Sequence, residues 1–464
     1  MAKVDFLTVP ALARLLRSRR ISSVELTERS LDRLERQGPA YNAVVRVLRE
    51  AALAEARERD AELARGKDRG PLHGIPYGVK DLLAVEGAPT TWGASGYRNQ
   101  LHQGDATVVR RLRRAGAVLC AKLAMVELAG GMGYRQAFAT FSGPGRTPWD
   151  SSRWSGGSSS GPGAAVAAGL VPFAIASETW GSMQYPAAFC GVTGLRPTFG
   201  RVSRHGAMAL SPTMDKLGPL ARSAEDCGLV LAAVAGSDPK DPTAIGRRFV
   251  PPTRAARRYR IGILRGTLDR TQAEVRRNFE ASVEVLREIA DVEEGLELPD
   301  YPWDAMAGLV LDAEAASAFE PLVLSGRVTR LTSPEDRVGG YAGQVVLARD
   351  YLRALRVRRP AAAALDRLLS GVDALAAPTL PTVAWRVDLA LDQAYPEFPG
   401  GTSVAGAANL CGVPALFLMN GTGEAGLPTS LQLTGRALSE ATLLEIGMYY
   451  QARTKFHRQR PPGL

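Results

Sequence analysis

The chain has 464 residues, 45% apolar and 22% charged, with mean hydropathy near zero, which excludes wholesale disorder, a collagen-like repeat and a bundle of membrane helices. The formal charge is +10, yet only seven of the 57 basic residues are lysine and the arginines alternate with glutamates, as in residues 50–65. No like-charged block of the kind that binds nucleic acid stands out.

Cys120, Cys190, Cys227 and Cys411 form no CxxC pair and there are four histidines. Neither a disulfide framework nor a zinc site is expected, and a reducing, cytoplasmic setting fits. Residues 1–10 include Asp5 and no apolar run of leader length, so leader-directed export is not expected. The longest nearly uncharged stretch, residues 161–177, is shorter than the ~20 residues of a membrane helix and reads as core.

In chain order, residues 8–66 read as helices. Ser22 and Glu25 make a capping-box pattern, Val24, Leu31 and Leu34 recur at helical spacing, and Gly66 closes the segment. From Pro71 the texture changes to short apolar strands between glycines, first Ile75 to Lys80. Asp105 is positioned to cap a helix carrying Val108, Val109 and Leu112, which stops near Gly116, and residues 117–122 follow as a strand. This alternation predicts an α/β sheet. Residues 236–258, rich in Pro, Asp and Arg, read as a linker candidate. A strand restarts at 260–264, helices dominate 305–369, a strand-like 374–376 leads into Pro378, and a helix near 439–453 ends the fold.

The most unusual segment is Trp154-Ser155-Gly156-Gly157-Ser158-Ser159-Ser160-Gly161-Pro162. Composition alone reads it as a flexible linker. Pro162 and the alanine-rich run behind it instead place the serines at the N-terminus of a helix. That helix of about nine residues travels ~14 Å away, and the apolar strand at 171–177 returns by ~20 Å. The next loop, Glu178-Thr179-Trp180-Gly181-Ser182, therefore meets the first at one end of the sheet, where ligands bind in parallel-type sheets.

A serine nucleophile needs a base. His73, His102, His205 and His457 sit in no motif tied to these loops. Lys80, ending an apolar strand, is either a base kept neutral by burial or a partner of Asp81 or another carboxylate. Gly157-Ser158-Ser159-Ser160-Gly161 also fits G-x-S-x-G with Ser159 as nucleophile, but residues 147–155 make a poor preceding strand. No phosphate-loop, dinucleotide or HExxH signature occurs.

Together these segments resemble the amidase signature enzymes. The resemblance runs through Gly74-Ile75-Pro76-Tyr77-Gly78-Val79-Lys80-Asp81, Gly156-Gly157-Ser158-Ser159, Gly181-Ser182 and Pro186-Ala187-Ala188-Phe189-Cys190-Gly191-Val192-Thr193-Gly194-Leu195-Arg196-Pro197-Thr198. It continues in Gly200-Arg201-Val202-Ser203, Asp215-Lys216-Leu217-Gly218-Pro219 and Gly426-Leu427-Pro428-Thr429-Ser430-Leu431-Gln432-Leu433. It implies one compact α/β/α domain over residues 1–464 around a large mixed sheet, with N-terminal helices to about 66, a signature core to about 235 and a C-terminal part completing the sheet. Residues 236–258 then become an internal connection.

The resemblance further implies a Ser–cisSer–Lys triad, with Ser182 as nucleophile, Ser158 as bridging serine after a cis peptide and Lys80 as base. Backbone amides of Thr179, Trp180, Gly181 and Ser182 would hold the oxyanion, and no metal or cofactor is required. It also places Gly131 and Met132 near the substrate. Trp180 stands where many relatives have glycine and Gln184 where they have arginine. The Trp180 indole either fills core or walls the acyl pocket with Met132.

These departures favour a stand-alone amidase acting on a neutral, apolar or aryl amide, as a monomer or homo-oligomer whose partner is a small molecule. Carbamate, urea or ester hydrolysis, the glutamine-hydrolysing subunit of an amidotransferase, and a non-catalytic binding protein are the alternatives.

Overall fold

In the computed structural model, which describes residues 4–253 and 257–464, the short apolar segments join in one mixed sheet of 11 strands. The chain opens with helices α1 (Val9–Arg17) and α2 (Ser23–Arg36), strand β1 (Val44–Val47) and α3 (Arg49–Ala64). Then come β2 (Pro76–Lys80), α4 (Thr107–Arg114), β3 (Val118–Leu123) and a separate ribbon of β4 (Arg146–Thr147) and β5 (Asp150–Trp154). The middle of the chain holds α5 (Ser160–Ala167), β6 (Phe173–Glu178), α6 (Gln184–Cys190), β7 (Thr193–Arg196), β8 (Lys216–Ala221) and α7 (Ala224–Val234).

After β9 (Tyr259–Leu264), α8 (Ala273–Arg287) and β10 (Ala290–Leu296) come four helices: α9 (Trp303–Ala318), α10 (Glu320–Leu324), α11 (Pro334–Gly343) and α12 (Ala348–Ser370). Strand β11 (Ala374–Pro378), α13 (Ala405–Cys411), β12 (Ala415–Thr422), β13 (Pro428–Thr434) and α14 (Glu440–Thr454) complete the order. Across the sheet the strands run β1-β3-β2-β6-β8-β7-β12-β13-β11-β9-β10. β2 is parallel to both β3 and β6, whereas β8 and β7 are antiparallel to their neighbours.

The sheet is covered on both faces because its central strands are apolar on both. In β6, Phe173 and Ile175 join the cluster of Val79 and Leu119, while Ala174 and Ala176 join Val118 and Cys120 in the opposite one, as the two-residue period of a strand dictates. α5 lies wholly buried against this second face. It approaches so closely that a Cβ on Gly161 would come within 2.4 Å of Ala124 N and Ala43 O. Among the described residues no helix is long and apolar enough to cross a membrane.

The structure corrects the sequence reading in three places. Residues 8–66 are not all helical, since Val44–Val47 is a strand paired antiparallel with β3. Asp105 does not cap α4. The N-cap is Ala106 with no side-chain bond, and Asp105 instead accepts from Glu86 N (2.8 Å) and pairs with Arg113. The described part of 236–258 is no free linker. Asp238 accepts from Thr107 Oγ1 (2.5 Å) and Ser203 Oγ (2.6 Å), and Asp241 from Arg204 N (2.8 Å); residues 254–256 lie outside the described residues.

The backbone contact at Gly161 yields a paired stability prediction. Gly161→Ala lowers stability by about 1–3 kcal/mol because backbone must move. Gly308→Ala, in α9 with nothing within 4 Å of the new methyl, is neutral or gains up to about 1 kcal/mol. Denaturant midpoints of the two variants check this, and equal midpoints would contradict the close approach.

Candidate active site

β2 and β6 are adjacent and parallel, so Lys80 at the end of one and the loop after the other emerge at the same edge. α5 carries the chain away from that edge and β6 brings it back, which sets the two serine loops against each other. Ser159 N donates to Ser182 O (3.2 Å), and Val126 N donates to Ser158 O (3.0 Å). The Gly157–Ser158 peptide is cis.

The side chains converge on one line. Lys80 Nζ donates to Ser158 Oγ (2.7 Å) and Ser177 Oγ (2.8 Å), and Ser158 Oγ donates to Ser182 Oγ (2.8 Å). All four residues are buried. Burial pushes the Lys80 amine down to about 7 against the weaker pull of Asp215 and Glu178. Asp81, adjacent in sequence, is not its partner; it pairs with Lys122 at 2.8 Å. Ser159 Oγ is committed to Ser177 O (3.1 Å), and Ser159 precedes α5 without an immediately preceding strand. None of the four histidines bonds to these serines, although His205 lines a cavity that reaches Ser177 and Thr179.

The loop bearing Ser182 is organised by Glu178. Its Oε2 accepts from Met183 N (2.8 Å) and Gln184 N (3.0 Å) at the start of α6, and its Oε1 from Arg196 Nη1 (2.6 Å). Burial alone would raise the Glu178 carboxyl, but Arg196, Lys216 and these hydrogen bonds hold it below its usual value. The amides of residues 179–182 have no acceptor among the described residues. The left-handed φ in this loop falls on Gly181 (+83°), not on Trp180, so tryptophan at 180 is unstrained.

Trp180 is half-buried. It packs against the apolar cluster that includes Met214, Leu264 and Trp303 and also lines a cavity of about 430 Å³ with Gly181 and Gln184. Met132 lies elsewhere, buried with Val323 and Val328, with the Met132 carbonyl against Gly339 of α11. It lines neither this cavity nor the one at Ser177, and neither does Gly131.

Sequence reasoning missed Ser177, Glu178, Arg196 and a further buried lysine, Lys216. The Lys216 Nζ donates to Met214 O, Thr179 O (3.3 Å) and Asn409 O (3.5 Å), tying the serine loop to α13. Burial and the nearby Arg196 depress it to about 7. The available signal was a charged residue inside an otherwise apolar strand, which needs a partner or a purpose.

With fold and geometry in place, similarity to known proteins points the same way. The family model Amidase matches residues 25–444. A glutamyl-tRNA(Gln) amidotransferase subunit from Moorella thermoacetica is 38% identical over 98% of each chain, and a putative amidase AmiD of Mycobacterium tuberculosis is 36% identical over 99% of this chain and 96% of that one. The peptide amidase of Stenotrophomonas maltophilia superposes with a TM-score of 0.85 at 32% identity, covering 99% of this chain and 98% of the other. The chain belongs to the amidase signature family. It is an amidase, a hydrolase of amide C–N bonds.

Two lysines whose folded pKa lies near 7 and whose unfolded value is about 10.4 give a pH dependence of fixed sign. Between those values the unfolded chain binds protons on these lysines that the native state does not, so their contribution to stability rises with pH from about 7 to about 10. Lys80→Met and Lys216→Met should each reduce that slope by about one proton. Denaturant unfolding at pH 7.5 and 9.5 reads it, and an unchanged slope in both would refute the depressed values.

Proposed function

We propose that the chain cleaves a small carboxamide through an acyl-enzyme on Ser182, with Ser158 relaying the proton and Lys80 as base. The observation that carries this reading is the Lys80–Ser158–Ser182 line, at 2.7 and 2.8 Å, ending in an amine held near neutrality. With the amine unprotonated the line runs in the reverse sense: Ser182 donates to Ser158, Ser158 to the lysine lone pair, while Ser177 accepts an amine N–H.

Ser182 Oγ then bonds to the carbonyl carbon and its proton passes through Ser158. The oxyanion faces the unpaired amides of residues 179–182, an arrangement that commonly supplies the largest share of rate enhancement. As the C–N bond breaks, Ser158 returns the proton to the departing nitrogen. Water attacks the ester by the same proton route, releasing the acid and restoring Ser182.

The part of the substrate beside Ser182 is apolar or aryl and carries no negative charge. Trp180 offers a ring surface, and among the described residues no Lys, Arg or His lines that cavity. Apolar groups bury there at ~25 cal/mol per Å², whereas a carboxylate would lie unpaired. Carbamates and esters of similar shape suit the same chemistry. The similarity to the amidotransferase subunit favours a second reading, glutamine hydrolysis with a partner protein. The missing cation beside Trp180 speaks against it.

Ser182→Ala should abolish turnover without loss of fold, and a fluorophosphonate adduct should map to Ser182; an adduct on Ser159, or activity in the alanine variant, would reject the nucleophile. Because Lys80 must be neutral, kcat/KM should rise through about pH 7 to an alkaline plateau. Lys80→Ala should lose about 10²–10⁴-fold while His205→Ala keeps its rate. The purified chain should turn over aryl anilides with higher kcat/KM than glutamine, and Trp180→Gly should shift that ratio. Efficient glutaminase activity by the chain alone would overturn the substrate assignment.

A further inference from the structure

The cavity on the Trp180 side contains a feature that hydrolysis does not use. From Trp180, Gly181 and Gln184 its lining extends to Asp304, the second residue of α9. Among the described lining residues Asp304 is the one with a formal charge. Its carboxylate has no hydrogen-bond or ion-pair partner among the described residues, and burial, with no offsetting cation, raises its carboxyl above the usual value. Room for it exists because residue 406 is glycine, where a Cβ would come within 1.9 Å of Asp304 Oδ1.

The other polar groups of the cavity have the same sense. Gln432 is buried, its Nε2 donates to Thr434 Oγ1 (2.9 Å) and its Oε1 has no partner. Gln184 has turned its Nε2 to Thr379 O (2.6 Å). The two side-chain amides thus spend their N–H groups on the protein, while a carboxylate and an amide oxygen remain as acceptors away from the loop at Trp180 and Gly181. Asp304 is solvent-exposed on this lining, and the complement of a carboxylate with no cation beside it is a cationic N–H donor.

We infer that this cavity is a subsite for a protonated amine carried by the substrate, bound at Asp304 while the neutral, apolar part of the substrate lies on Trp180. The inference rests on hydrolysis at Ser182 and adds the charge of the substrate's remote end.

The test compares ω-aminoacyl 4-nitroanilides of graded chain length with alkanoyl isosteres in which methyl replaces ammonium. A parallel set of N-(ω-aminoalkyl)benzamides and N-alkylbenzamides places the charge on the other side of the scissile bond. One set should favour the ammonium substrate in kcat/KM by about tenfold or more. Asp304→Asn should bring that ratio close to one, Asp304→Lys should invert it in favour of carboxylate-bearing isosteres, and Glu397→Gln, an exposed carboxylate outside the cavity lining, should leave it unchanged.

No ammonium preference in either set, or an equal effect of Glu397→Gln, overturns the subsite even while neutral anilides turn over. If no anilide or benzamide reacts, hydrolysis itself has failed. Calorimetric binding of a phenylalkylammonium then still decides the subsite, tighter to the unmodified chain than to Asp304→Asn if it exists and equal if it does not.

Discussion

A lysine amine buried without a counter-ion is the constraint on which the site depends. Carboxylates are not scarce near Lys80, and any one of them in contact would hold its proton. Each is engaged elsewhere. Asp81 is taken by Lys122 and by Thr91 N (3.0 Å), and Glu178 by Arg196 and the start of α6. Asp215 accepts from Thr179 Oγ1 (2.5 Å), Leu210 N (2.9 Å) and Ser211 N (3.0 Å). What remains within reach of the amine are hydroxyls, which can take or give a proton.

The same pairings that leave the amine uncompensated also shape the loop it serves. Glu178, fixed from β7 by Arg196, accepts from the amides of Met183 and Gln184, so α6 begins at Gln184, two residues after Ser182. With those amides satisfied and Gly181 in a left-handed conformation, the amides of 179–182 have no acceptor among the described residues, which is what the proposed oxyanion role requires. A buried ion pair such as Glu178–Arg196 adds little net stability over an apolar equivalent. Its value here is positional.

How much of this was legible in sequence follows from range and burial. The central strands showed themselves because they are apolar on both faces and bounded by glycine and proline. The meeting of the serine loops followed from the length of one helix and one strand. The two edge strands did not show. β1 is four residues long with a charged Arg46, and β10 reads Ala-Asp-Val-Glu-Glu-Gly-Leu, the charged texture that keeps sheet edges from pairing with other chains. Asp105 misled because a capping residue in sequence can be claimed by donors outside the cap, here Glu86 N and Arg113 near the other end of α4. Ser177 and the diversions of Asp81 and Glu178 are likewise long-range, set by which strands become neighbours, and no local pattern encodes them.

The buried Lys216 belongs to the same electrostatic unit. Glu178 and Asp215 act on Lys80 and on Lys216 alike, while Arg196 opposes a charge on Lys216. Arg358 opposes it as well, so two guanidinium groups stand against two carboxylates around that amine, and burial sets it near 7 as it does Lys80. The acceptors differ. Lys216 faces three backbone carbonyls, which accept its N–H groups and cannot donate, whereas Lys80 faces two hydroxyls that do either. Lys216 is therefore confined to tying the loop at Thr179 to Met214 and Asn409, while Lys80 is the amine whose lone pair a hydroxyl proton can reach, which is what the proposed relay from Ser182 through Ser158 requires.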